Sequence, residues 1–120
     1  MAYVDGFVLA VPKKNMAAYR TMARRAGKVW REYGALEFRE CVGEDLASPM
    51  GVSFNKLAKV QPGETVVFSW IVYRSKADRE RIIKKVMKDP RLADDMTDMK
   101  KMPFNPKRMA HGGFTMIVDA

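Results

Sequence analysis

The run Thr65-Val66-Val67-Phe68-Ser69-Trp70-Ile71-Val72-Tyr73 constrains this chain more than any other stretch. It is β-branched and aromatic almost throughout, follows a Pro62-Gly63 turn and gives way to charge. It lacks the length and the polar stripe of an amphipathic helix and reads as a strand buried on both faces. Such a strand belongs in the middle of a sheet and needs cover on both sides. Helices supply one cover, and the rest of the chain must provide for the other.

Residues 3–11 alternate, with Val4, Gly6, Val8 and Ala10 on one side and Tyr3, Asp5, Phe7 and Leu9 on the other. Gly6 would admit a close helix, which assigns its set to the helix side and leaves Tyr3, Asp5, Phe7 and Leu9 facing away. After Pro12, Met16, Tyr19, Ala23, Ala26, Trp30 and Tyr33 recur at spacings of three and four, which predicts a helix over 14–33 ended by Gly34. A second strand over 36–42 groups Leu36, Phe38 and Val42 against Arg39 and Cys41. Residues 43–63 are long for a connection inside a domain, and are expected to hold a helical turn near 53–57 or an extra hairpin. Ser75 and Asp78 have N-cap spacing, and Ile82, Ile83, Val86 and Met87 mark the buried stripe of a second long helix over 75–88. Asp89-Pro90 ends it. A short helix over 91–99, a loop over 102–106 and a last strand over 113–118 complete the reading.

The order strand, helix, strand, strand, helix, strand is the ferredoxin-like βαββαβ pattern. It predicts an α+β class, a single domain over 1–120, and an antiparallel sheet with both long helices on one face. The other face is then apolar and uncovered. A second copy of the sheet is the simplest cover, so the chain is expected to be a homodimer.

Lys and Arg number 22 against 14 Asp and Glu, a net charge of +8 that draws anions through its long-range field. Arg20, Arg24, Lys28 and Arg31 form a basic stripe on the first helix and are the candidate surface for an anionic partner. Nucleic-acid contact there is expected to be non-specific and electrostatic. An RNA-binding domain is the alternative reading, since the same strand order builds RNA-recognition modules. The third strand, however, lacks their basic-Gly-aromatic pattern. No apolar run approaches the roughly 20 residues of a membrane helix, so no membrane partner is expected. Met1 to Asp5 lack a basic leader region, and the lone Cys41 suits a reducing compartment, so the expected location is cytoplasmic.

Asp5, Arg39 and Cys41 are expected to share the face away from the helices, with Asp5 and Arg39 able to form a buried ion pair. His111 is the only histidine and precedes Gly112-Gly113, near Arg108. With no second histidine and no Cys-x-x-Cys, no metal site is expected. Asp94, Asp95 and Asp98 lack the spacing of a calcium loop, and Gly112-Gly113 lacks the Lys-Ser/Thr of a phosphate loop, so no cofactor is expected either. Tyr3, Asp5, Arg39, Trp70, Arg108 and His111 are the candidate pocket residues. The favoured reading is a homodimer that binds a small molecule, with its pocket between sheet and helices or inside a dimer barrel.

Four segments, taken in order, resemble a known family over nearly the whole chain: Tyr3-Val4-Asp5-Gly6-Phe7, Gly27-Lys28-Val29-Trp30-Arg31, Gly63-Glu64-Thr65-Val66-Val67-Phe68-Ser69-Trp70, and Arg108-Met109 with Gly112-Gly113-Phe114. The family is the bacterial domain of unknown function 1428. The resemblance implies a ferredoxin-like dimeric α+β barrel. That superfamily also includes small cofactor-free monooxygenases, haem-degrading enzymes and stress-related proteins. The family itself has no established activity, so no catalytic residue carries over. A cofactor-free enzyme is one form that the small-molecule reading can take.

Overall fold

The computed structural model describes every residue of the chain except 94, 96, 97 and 99. Its elements are β1 (Tyr3–Pro12), α1 (Met16–Glu32), β2 (Glu37–Val42), α2 (Phe54–Leu57), β3 (Glu64–Tyr73), α3 (Lys76–Met87) and β4 (Ala110–Thr115). The apolar run is β3, and it lies inside an antiparallel sheet of order β2-β3-β1-β4. The long helices end where local chemistry ends them. Gly34, just past α1, takes a φ of +116° that side chains with a Cβ avoid. At α3 the Ser75 hydroxyl accepts the backbone N–H of Asp78 at 3.0 Å, which satisfies one of the free donors of the first turn.

The core lies between one face of the sheet and the pair α1 and α3. One cluster joins Val29 of α1, Ile71 and Tyr73 of β3, and Ile82 and Val86 of α3. The other joins Leu9 and Val11 of β1, Val67 of β3, and Tyr19 and Ala23 of α1. Phe7 packs against both. The class and topology are therefore those expected, but the face of β1 is the reverse. Asp5, Phe7, Leu9 and Val11 point at the helices, and Val4, Gly6, Val8 and Ala10 point away. Gly6 serves a different neighbour from the one expected: a Cβ there would stand 3.4 Å from the Phe114 ring. That is ordinary contact, on the sheet's outer face, and no helix lies within 4 Å of the position. Leu9 and Val11, almost wholly buried against Tyr19 and Ala23, decide the orientation.

Two further differences follow. β4 begins at Ala110, earlier than expected, because its register against β1 pairs His111 with Phe7 and Gly113 with Asp5. His111 thus sits within a strand and not at a loop. The outer face is also partly covered by the chain itself. Ser53 caps the short α2, accepting the N–H of Lys56 at 3.2 Å, and Phe54 meets the Phe68 ring edge-on at 6.0 Å. Of the short helix expected over 91–99, residues 94, 96, 97 and 99 lie outside those described, Asp94 of the acidic cluster among them; Arg91 and Leu92 form a turn, and Ala93 and Asp95 are helical.

Ile82 is fully buried between α3 and the sheet. Ile82→Ala is expected to destabilise the fold by about 3 kcal/mol, as removal of a buried branched side chain usually does. Met87→Ala, at an exposed position on the same helix, should cost well under ~1 kcal/mol. Equilibrium urea unfolding monitored by circular dichroism separates the two.

Candidate functional site

The layers do not meet everywhere. Between the helix-facing side of the sheet and α1 and α3 lies a cavity of about 420 Å³. Its walls are mainly apolar, with Phe7 and Leu9 of β1, Ala26 and Trp30 of α1, Ile71 of β3, and Ile83 and Met87 of α3. Met102, Phe104 and Met109 close it from the segment before β4. The strand alternation that builds the core supplies these side chains, and Ala23 and Ala26 leave the space by being small.

Two polar groups break the apolar lining. At one side, Asp5 is 5% exposed and accepts from the Tyr73 hydroxyl at 3.1 Å and from Arg79 Nε and Nη2 at 3.1 and 3.0 Å. The Tyr73 oxygen in turn accepts from Trp30 Nε1 at 3.1 Å. Trp30, Tyr73, Asp5 and Arg79 thus form one chain across α1, β3, β1 and α3. The guanidinium also lies over the Tyr3 ring, 5.7 Å from its centroid. Burial and the Asp5 charge push the Tyr73 phenol well above its ordinary range.

The second polar group joins α1 to the sheet edge. The Tyr19 hydroxyl donates to the Glu40 carboxylate, 2.9 Å from each oxygen. Burial, and then the neighbouring carboxylate, raise the Tyr19 phenol far above its usual value. Burial also raises Glu40, although hydrogen bonds from Tyr19 and Ser69 oppose the shift. His111 of β4 stacks on Phe7 with 6.1 Å between ring centroids, and its ring nitrogens make no hydrogen bond among the described residues.

Of the six candidate pocket residues, Asp5, Arg39, Trp70 and His111 border the cavity. The alternation of β2 and β3 sends the Arg39 and Trp70 side chains to the outer face, so these two border it at the level of the sheet. Tyr3 lies beside it, under Arg79 and against Gly113. Arg108 is elsewhere: its guanidinium grips Glu64 at 2.7 and 2.9 Å and the Lys59 carbonyl at 2.9 Å. The expected Asp5–Arg39 pair does not form. Asp5 faces inward to Arg79, whereas Arg39 and Cys41 are exposed on the other side. The candidates Arg20, Arg24, Lys28 and Arg31 are exposed along α1, beside β2. Sequence reasoning missed Tyr19, Trp30, Glu40, Tyr73 and Arg79 as site residues. Glu40 carried a readable signal, since it is the one acid in the alternating set Leu36, Phe38, Glu40, Val42.

A family model described as a protein of unknown function (DUF1428) matches residues 2–106. The "Uncharacterized protein YbaA" of Escherichia coli (strain K12) is 44% identical over 119 residues, covering 99% of each chain. The protein of the same name in Shigella flexneri matches to the same extent, at 44% identity over 99% of each chain. Among solved structures, Rv0793 from Mycobacterium tuberculosis has a TM-score of 0.60 at 12% identity, covering 100% of this chain and 99% of that one. An uncharacterized NIPSNAP domain protein from Burkholderia xenovorans has a TM-score of 0.59 at 12% identity, with 100% and 98% covered. At that identity the likeness is one of fold.

The buried phenols make the site visible to titration. Both Tyr19 and Tyr73 are raised above 10.0, so the fold favours their protonated forms. That contribution is complete below pH 10 and is lost as the pH climbs toward the folded values. Neither phenol should therefore ionise below about pH 11 while the protein is folded. Phenolate absorbance below that pH should be the same in wild type and in Tyr19→Phe and Tyr73→Phe variants. A variant that loses phenolate signal at pH 10.5 would show that its tyrosine is open to solvent.

Proposed function

The chain belongs to the DUF1428 family, a family of unknown function, and from that premise we propose that it is a homodimeric protein that binds a small molecule in each subunit. The observation that carries this reading is the cavity of about 420 Å³ between sheet and helices. An apolar space with a few convergent polar groups is the usual form of a small-molecule site. The Trp30–Tyr73–Asp5–Arg79 chain offers a fixed polar end, and its hydrogen bonds hold that end without a ligand. His111 and Glu40 border the cavity and are the candidate acid–base groups for a cofactor-free reaction on the bound molecule.

Support for the dimer comes from the outer face. Phe68 and Phe114 are 43% and 61% exposed there, beside Val8 and Trp70, although Phe54 of α2 meets Phe68 and Ala10, Val66 and Val72 of the same face are already buried within the chain. Paired aromatic and β-branched residues on an open sheet favour a second apolar surface over water. A nucleic-acid reading has weaker support. Its stacking residues would be Phe68, Trp70 and Phe114 on the outer face, whereas Arg20, Arg24 and Lys28 stand on α1, on the other side of the sheet. No helix among the described residues is long and apolar enough to cross a membrane.

The neutral fluorophore N-phenyl-1-naphthylamine tests the cavity. It should bind wild type at a single site per subunit, with energy transfer from Trp30. Ala26→Phe should abolish binding, and the milder Met87→Phe should weaken it, both with the fold intact. Binding that survives in both variants places the probe elsewhere and rejects the reading. For the dimer, Phe68→Asp should yield a folded monomer in sedimentation equilibrium, whereas Phe7→Asp should unfold the protein, since Phe7 packs in the core. A wild-type monomer at micromolar concentration would reject the dimer.

A further inference from the structure

A second space adjoins the cavity. A groove of about 480 Å³ runs between α1 and β2, the edge strand of the sheet. Arg20, Arg24, Lys28 and Arg31 of α1 line it, against a single acid, Glu40, while Arg39 borders it with its side chain directed to the outer face. Arg20, Arg24 and Lys28 follow one another at intervals of four, where like charges repel, and they have no acidic partner among the described residues. Arg31 is turned toward the carbonyls of Ala35 and Leu36, and Arg39 comes no closer than 3.9 Å to Glu37. The chain therefore concentrates positive charge along this groove without neutralising it.

The groove and the cavity share a wall. Tyr19, Ala23, Phe38, Arg39 and Glu40 border both. The Tyr19–Glu40 pair and the Phe38 ring stand at the boundary where the two spaces meet. That ring fits against α1 only because residue 27 is glycine: a Cβ there would stand 2.8 Å from it. Both spaces open to solvent; one is lined mainly by apolar side chains and the other by cationic ones.

We propose that the groove is the anion-binding vestibule of the cavity, and that the ligand is a small amphipathic anion. Its apolar body occupies the space between sheet and helices, and its carboxylate, sulfonate or phosphate rests in the groove near Arg24 and Lys28. This inference rests on the cavity reading above and adds the charge class of the ligand. The charged end belongs in the groove because the cation at the inner polar end, Arg79, is already engaged by Asp5 and Glu80, whereas Arg20, Arg24 and Lys28 have no acidic partner among the described residues. The volume suits a free small acid and not a lipid with two long chains.

A matched pair of probes tests it: N-phenyl-1-naphthylamine and its sulfonated counterpart, 8-anilinonaphthalene-1-sulfonate. At low ionic strength the sulfonate should bind wild type at least about tenfold more tightly, the gain expected from one or two partly exposed charge contacts. The advantage should shrink as salt screens it. In the Arg24→Gln/Lys28→Gln double variant, which changes only exposed side chains, it should fall to within about twofold while neutral-probe binding is unchanged. Equal affinities in wild type would overturn the anionic vestibule and leave the cavity reading standing. So would a sulfonate advantage that persists in the double variant, or a double variant that loses both probes alike. Failure of the neutral probe to bind, or either probe binding undiminished in Ala26→Phe and Met87→Phe, would overturn the cavity reading and this inference together.

Discussion

The pairing of Asp5 with Arg79 is the contact on which the rest of the arrangement turns. It joins the central strand β1 to α3 through three donor–acceptor contacts of 3.0 to 3.2 Å, and Tyr73 and Trp30 extend it to β3 and α1. A buried ion pair adds little net stability, because desolvation offsets most of the attraction. Its effect is on register. A slip of β1 by one residue would carry Asp5 to the outer face, leave Arg79 with only the exposed Glu80 and move Leu9 and Val11 out of the core. Only one arrangement satisfies the carboxylate and buries the apolar set together. That arrangement also leaves the space between the layers.

The element order was legible in the sequence because periodicity and capping signals agree with the packing they produce. The nine-residue run is the sheet's interior strand, Gly34 stops α1, and Ser75 caps α3. Which side of β1 meets the helices was not legible from alternation alone. Both sets on that strand are apolar enough to be buried, because one packs on helices while the other forms the open sheet face. Gly6 pointed the wrong way, since a missing side chain can accommodate an aromatic neighbour in the same sheet as readily as a helix. The better guide was Asp5, whose charge needs a partner of the kind that a helix with three arginines, Arg79, Arg81 and Arg74 just before it, can supply.

The site was legible in part. Asp5 and His111 were readable as isolated polar residues in strand-like surroundings. Tyr19, Tyr73 and Arg79 were not, because each falls at a position where sequence alone predicts packing or solvent exposure. A tyrosine at a core spacing shows its ring in the pattern and hides its hydroxyl, and the hydroxyl's partner is set by tertiary contacts across 21 and 68 positions of the chain. Arg108 misled for the opposite reason. It stands close to His111 in sequence, yet its fork is satisfied by Glu64, which lies 44 positions away. The basic stripe on α1 was plain in the sequence, but its placement beside β2 and against the cavity wall is a property of the fold.

The central claim is that an apolar pocket lies between the helix-facing side of the sheet and the helices and can hold a small molecule. Diffraction from crystals pressurised with xenon tests it most directly, since the gas enters dry apolar cavities and needs no knowledge of the natural ligand. The account predicts a xenon peak among Phe7, Trp30 and Ile71, on the inner side of the sheet. No density there, or density confined to the outer face near Phe68 and Trp70, would contradict it.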